Sequence, residues 1–486
     1  MVRSSRKRSR GGPATTGTIR QLERKVLRNQ FAPIEALDEE QLEFIHNVSL
    51  RILEEEGIEV MGHQALTLFR KAGASVDCQG VVRIDRNLLL ETAALASETF
   101  TITPRNSAQA IQLGGNVLNF SLVSGAPNVH DNINGRRAGN FADYEKLISL
   151  GQYFNVITFF GNQATAIGAG RSRDAIEMSA IARGLSMEDM KNNPTVMTNI
   201  NLNSPRKLDD AMAYSAMQMS MFGQPVTVTP FTLMGAMTPT TMAVALAQQN
   251  AEALLGIALL QLTRPGTPVI YGGFTSNVDM RSGSPAFGTP ENSLANIAGG
   301  QLARRYKLSY RTSACNASNA VDAQATYETQ MALWGAVMGH GNLIYHAAGW
   351  LEGGLLASFE KLIIDCEMLQ HMTAMLEPLK IDLAETGLDA MKEVGPGGHF
   401  FGCEHTIARY KTAFYEPFLS NWQNSENWLI GGSKDATQRA TDIWPKILKE
   451  FEPPTTDLAI KEELEAYMAK RKEALGRDEP KLEPTD

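Results

Sequence analysis

At 486 residues the chain is longer than one compact domain usually runs, so a large fold with extensions fits better than a small module. Its 43 % hydrophobic and 20 % charged residues are a globular balance that excludes wholesale disorder. Its net charge of -8 excludes general nucleic-acid binding, which needs a basic surface to displace counterions.

The chain opens on a basic, Ser/Gly-rich stretch containing Arg3, Arg6, Lys7, Arg8 and Arg10. That stretch lacks the apolar core of a signal peptide, so residues 1–30 read as a disordered basic tail of a cytoplasmic protein, helical near Arg20–Arg28. Residues 31–115 read as an N-terminal α/β extension. Its first helix starts after Leu37 with Asp38 as cap, carries Leu42, Ile45, Val48, Leu50, Ile52 and Leu53 on a largely helical stripe, and ends at Gly57. A helix at His63–Ala72, a strand at Val81–Ile84 and a helix at Arg86–Ser97 complete it.

Beyond Gly115 short β-rich runs alternate with helical runs. The strand candidates are Val117–Leu122, Val156–Phe160, Thr195–Ile200, Pro225–Thr229, Pro268–Gly272, Ser309–Ser313, Asn342–His346 and Val394–Phe401. Between them lie helices at Pro205–Met221, Pro239–Leu262, Pro290–Tyr306, Ala320–Met338 and Ser358–Met375, several opening with Pro, Ser or Thr as first turns do. Eight strands alternating with helices predict an α/β fold, a (β/α)8 TIM-type barrel over residues 116–450. An open doubly wound sheet is the competitor, and the lack of GxGxxG and of a P-loop weakens its nucleotide-binding version. Residues 451–486 read as a C-terminal helical arm, charged from Leu458 to Leu475, that could cover a neighbouring subunit of a homo-oligomer.

No apolar run reaches the roughly 18 uncharged residues that a membrane span requires. The longest candidate, Ala243–Leu262, contains Gln248, Gln249, Asn250 and Glu252 and reads as a helix. Cys78, Cys315, Cys366 and Cys403 are scattered without CxxC spacing, which suits a reducing cytosol and no disulfide framework.

In a barrel, ligand contacts gather at strand C-termini and in the loops after them. Four such segments, Tyr271–Asn277, Ser313–Asn319, His346–Gly354 and Gly395–Phe400, are rich in glycine, amides and aromatics and poor in charge. Tyr271, Phe274, Tyr310, Trp350 and Phe400 stand beside them as candidate cage residues, because aromatic faces attract a quaternary ammonium. Asn316 is a candidate amide in the same pocket. His346 ends a strand before a Gly-rich loop that carries Glu352, and both are candidate catalytic-site polar anchors, for a substrate carboxylate or for a cofactor. The alternatives are core packing for each aromatic and a backbone-bonded buried histidine. His399, Cys403 and His405 form H-x3-C-x-H, which matches no common zinc site, and no GxSxG serine is present.

Four blocks carry a resemblance: Val269–Gly283, Gly299–Tyr306, His346–Leu355 and Glu393–Phe400. They resemble the trimethylamine methyltransferase family of corrinoid-dependent enzymes, over nearly the whole chain from Leu37 to Pro454. Only standard residues are present, so the chain resembles the branch without pyrrolysine, whose best known activity is demethylation of glycine betaine. The resemblance implies a small quaternary amine as substrate and a separate corrinoid protein as partner and methyl acceptor, with Gly397, Gly398 and His399 at the cobalamin. No DxHxxG string is present, so the corrinoid is expected on that partner, and no metal is expected on this chain. Two rival functions remain, a zinc-dependent barrel hydrolase using His346, His399, Cys403 and His405, and a non-catalytic betaine-binding protein.

Overall fold

Seven short parallel strands form the centre of the computed structural model, which describes residues 17–160 and 171–475. They are β1 (Val117–Leu122), β2 (Ile157–Phe159), β3 (Thr198–Leu202), β4 (Val226–Pro230), β5 (Val269–Gly272), β6 (Ser309–Ser313) and β7 (Leu343–Ala348). All seven fall on expected strands. Hydrogen bonds link them in the order β2-β1-β7-β6-β5-β4-β3, so the first strand pairs with the last. Among the described residues no ladder joins β2 to β3, and the sheet is therefore not closed.

The expected eighth strand, Val394–Phe401, is not one. A helix over Leu388–Val394 ends at Gly395 with φ 67°, and a loop follows. Pro396 and three glycines in five residues suit turns, because glycine reaches positive φ freely and proline cannot donate to a ladder. The chain is thus a mixed α/β protein with a seven-stranded parallel core sheet rather than a closed eight-stranded barrel.

Residues 17–30 also differ from expectation. They are extended rather than helical, with Leu27–Arg28 pairing antiparallel to β1, and Ile19, Leu27 and Asn29 are buried. The segment is tied down by Thr18 to Glu450, by Gln21 to the Tyr153 carbonyl and by Leu22 to Gln370. The basic cluster from Arg3 to Arg10 lies outside the described residues.

Helices cover the sheet, and four of them are started by a side chain that accepts from a first-turn amide: Asp209 before Asp210–Met221, Thr289 before Pro290–Arg305, Asp322 before Ala323–Met338, and Ser358 before Phe359–Met375. The N-terminal extension is formed as expected, with an Asp38 capping box on Glu39–Arg51 and helices at His63–Ala72 and Arg86–Ala93. It lies against the helix Met242–Thr263, which is in contact with all three. That helix is long and apolar enough to cross a membrane, yet 89 % of its most apolar window is buried within the protein. One continuous core therefore runs from Leu53, Phe69 and Leu89 through Leu254 and Ile257 to Tyr271 and Tyr310.

Alternation along the strands sorts residues between this core and the interior. In β5, Val269 and Tyr271 join the helices, while Ile270 joins Ile102, Ile111, Leu113, Met197, Leu343 and Tyr345 in a separate cluster. In β6, Tyr310 faces the helices, so its neighbour Arg311 faces the interior. At the other end, the arm helix Leu458–Leu475 lies on Arg171–Arg183, where Tyr467 donates to Asp174 and Glu177.

Candidate active site

A cavity of about 1120 Å³ opens on the interior side of β2, β3, β6 and β7. At one end the C-termini of β4, β5, β6 and β7 bring together Phe231, Phe274, Arg311, Tyr345, His346 and Trp350, all of which line it. Phe274 is the hub. Its ring centroid lies 4.9 Å from that of Phe231, 5.2 Å from that of Phe287 and 6.5 Å from that of Trp350. Phe287 stands edge-on to Trp350 at 6.3 Å. Four aromatic side chains thus form one cluster beside the cavity.

Arg311 is 2 % exposed. Its guanidinium carbon sits 4.9 Å from the Phe274 centroid and 4.5 Å from that of Tyr345, with Nη1 donating to the Gly273 carbonyl at 3.2 Å. Burial pushes its pKa down from the ordinary value, but a guanidinium cannot be deprotonated in a protein and the charge stays. Among the described residues no carboxylate pairs with it, and its Nε has no hydrogen-bond partner.

His346 occupies the left-handed region with φ 57°, at a register shift in β7 between Ile344 and Ala348. A non-glycine residue there is unusual, and an irregular strand of this kind re-aims a side chain. The ring lies 4.0 Å from Trp350, and Nε2 is 3.4 Å from Arg311 Nη2. Burial first, and the Arg311 charge second, hold the imidazole well below its usual pKa. It is therefore neutral. Arginine only donates, so Nε2 accepts and the hydrogen sits on Nδ1, which has no partner among the described residues.

A buried polar chain supports this end from behind. Asp365 accepts from the Gly349 amide at 2.8 Å and pairs with Lys361, which also donates to Thr329 Oγ1 at 2.9 Å. Asn316 donates to the same hydroxyl at 3.0 Å. Gly354, at φ 109°, lies against the Trp350 ring, where a Cβ would come within 2.6 Å of it.

Three of the expected site residues, Phe274, His346 and Trp350, line the cavity. Tyr271 and Tyr310 do not. They are core residues between sheet and helices, with hydroxyls donating to Asn250 Oδ1 at 3.1 Å and to the Asn296 carbonyl at 3.0 Å. Asn316 is buried behind Trp350. Glu352 makes a two-pronged pair with Arg136 at 3.0 Å and lies outside the lining. Gly397, Gly398, His399 and Phe400 sit in an exposed loop and do not line the cavity either.

The zinc reading finds no geometry. Among the described residues no three His, Cys, Asp or Glu side chains gather, and Cys403 bonds the Phe400 carbonyl and Thr406 locally. Burial pushes the Cys315 thiol up to about 12, so it supplies no thiolate. What the sequence reading missed is Arg311, Phe231, Phe287 and Tyr345.

The trimethylamine methyltransferase (MTTB) family model matches residues 3–167 and 162–476. The chain is 33 % identical over 472 residues to the glycine betaine methyltransferase of Desulfitobacterium hafniense (strain Y51), covering 91 % of this chain and 98 % of the relative. It is 27 % identical over 401 residues to the proline betaine:corrinoid methyltransferase of Eubacterium limosum, covering 74 % and 81 %. It is 26 % identical over 459 residues to the trimethylamine methyltransferase MttB of Desulfitobacterium hafniense (strain DSM 10664 / DCB-2), covering 88 % and 92 %. With the family matched along nearly its whole length, the chain belongs to the trimethylamine methyltransferase family and is a methyltransferase.

Proposed function

We propose that this methyltransferase takes a methyl group from a small, glycine betaine-like quaternary amine and delivers it to the corrinoid of a separate protein. The observation that carries the reading is the cluster of Phe231, Phe274, Phe287 and Trp350 at the cavity end, since aromatic faces are suited to a methylated ammonium. Relatives named for glycine betaine and for proline betaine:corrinoid methyl transfer support it.

The chemistry asks little of the protein as acid or base. The carbon–nitrogen bond breaks with its electron pair left on nitrogen, and a neutral tertiary amine departs without needing a proton. The corrinoid, when its carrier is docked, supplies the nucleophile that accepts the methyl group. This chain's residues would hold the ammonium, turn one methyl group toward the acceptor and exclude water. A neutral His346 fits that role. The cavity also fits a second, larger body, because it is bigger than a small amine requires, and its further lining of Arg24, Arg105, Asn155, Asn199 and Asn201 suits the amide groups on a corrin rim. The exposed loop at Gly397, Gly398 and His399 is available to the carrier protein.

We read the parallel sheet as preceded by an extension at 31–115 and followed by an arm at 451–486, in a cytoplasmic protein. Leu379, Ile381, Leu383, Phe401, Phe414, Trp422 and Ile430, all between residues 379 and 430, are at least 71 % exposed, which supports a homo-oligomer that covers them. A monomeric mass in sedimentation would refute that part.

The deciding experiment mixes the enzyme with a reduced corrinoid protein and glycine betaine, and follows the cobalt spectrum together with the demethylated amine. Methyl transfer stoichiometric with amine release is expected. Tight binding of the amine without any transfer would instead favour a non-catalytic betaine-binding protein.

A further inference from the structure

Arg311 is a buried charge without a counter-ion among the described residues. Isolated burial of a charge is costly enough that proteins pair such groups, and arginine cannot escape by losing its proton. Here the guanidinium is held instead by two aromatic faces, Phe274 and Tyr345, and by one neutral carbonyl. Its Nε hydrogen has no acceptor, and the Nδ1 hydrogen of the adjacent His346 has none either. Both side chains line the same cavity. Two neighbouring donors, one of them cationic, are thus buried at the cavity wall without an acceptor among the described residues.

We propose that Arg311, seconded by His346, is an anion-binding subsite that restricts the substrate to quaternary amines bearing a carboxylate, the betaines. The proposal rests on the methyl-transfer reading above and adds the part of the substrate that does not react. A carboxylate matches the planar fork of a guanidinium and accepts from it with charge assistance. Phe274 belongs to both subsites: the Arg311 guanidinium lies on it at 4.9 Å, and the Phe231, Phe287 and Trp350 rings surround it. Anion and cation subsites therefore adjoin, as the one-carbon spacing between the two charges of a glycine-type betaine requires.

The same arginine works against other methylated amines. Choline and tetramethylammonium bring a second positive charge beside a buried first one and nothing to neutralise it. Repulsion at a few ångströms in a site of intermediate dielectric amounts to a preference on the order of a hundredfold for the zwitterion.

The test is calorimetry on the wild type, Arg311→Met and Arg311→Lys with glycine betaine, choline, tetramethylammonium and acetate. The wild type is expected to bind glycine betaine about a hundredfold more tightly than choline or tetramethylammonium, with acetate weak because it lacks the ammonium. Arg311→Met is expected to lose about a hundredfold toward glycine betaine while binding tetramethylammonium as well as or better than the wild type, which also shows that its pocket is intact. If Arg311→Met does not fold, Arg311→Lys decides, because it keeps the charge and loses the fork; a loss of about tenfold toward glycine betaine is expected. Unchanged glycine betaine affinity in a folded variant, or a wild type that takes choline as readily as glycine betaine, overturns the carboxylate subsite and leaves methyl transfer standing. A wild type that binds none of the methylated amines overturns the function reading itself.

Discussion

Asn316 and Trp350 hold each other through two reciprocal hydrogen bonds. The Asn316 side chain donates to the Trp350 carbonyl at 2.5 Å, and the Trp350 indole donates to the Asn316 carbonyl at 3.1 Å. The pair joins the loop after β6 to the loop after β7 and fixes the tryptophan edge-on to Phe274 and Phe287. Asn316→Ala leaves a buried carbonyl and the Thr329 hydroxyl short of a donor, at a cost of about 1–3 kcal/mol. Affinity for a quaternary amine should fall about tenfold as the ring loosens. Thermal unfolding and calorimetry on the variant check both. Unaltered affinity would mean that the short strand pairing of Trp350–Leu351 with Leu356–Ala357 suffices to place the ring.

The Lys361–Asp365 pair is completely buried, and its carboxylate also receives the Gly349 amide. Lys361→Met leaves that carboxyl group buried and without its partner, so denaturant unfolding should show a loss of about 3–5 kcal/mol. The double variant Lys361→Met/Asp365→Asn removes both charges and should be more stable than the single one. Additive losses in this double-mutant cycle would mean that the two groups act independently.

Acid should weaken the fold through its histidines. His46, bonded through Nδ1 to the Tyr306 hydroxyl at 2.6 Å, has its pKa lowered to about 4, chiefly by burial and then by Arg305. Its folded-state value lies below the unfolded one near 6.5, so protonation favours unfolding. Stability is therefore complete above about pH 6.5 and is lost as pH falls from there toward 4, by on the order of 3 kcal/mol for this group. His346 is shifted in the same direction. Unfolding free energy measured from pH 7 to 4 on the wild type and on His46→Gln should give curves that converge as the pH drops. Parallel curves would count against the assignment.

Much of the architecture was legible in the sequence because strand and helix periods differ. All seven parallel strands and the capped N-terminal helices fall where alternation, glycines and cap residues put them. The eighth strand failed at Gly395–Gly398, where apolar neighbours outweighed turn-forming residues in the reading. The site was legible in part, and β6 shows why. Ser309–Ser313 was expected as a strand, and period-two alternation puts Tyr310 and Arg311 on opposite faces. The aromatic drew attention, yet it faces the helices and the arginine faces the cavity. A lone charge in a five-residue buried strand was the available signal. Phe287 had none, since it reaches the cluster from a loop whose course depends on the tertiary fold.

The helix Met242–Thr263 has one more implication, for the order in which the chain can assemble. Its flanks are shared between the N-terminal extension and the central sheet, so position 115 is a seam in sequence but not in cohesion. The first hundred residues leave the ribosome well before the surface that Leu53, Phe69 and Leu89 must lie against has been synthesised. Until residues 242–263 emerge, that apolar face lacks the helix that touches all three of its own helices. The packing of the extension is therefore completed only by residues that follow most of the strands it precedes.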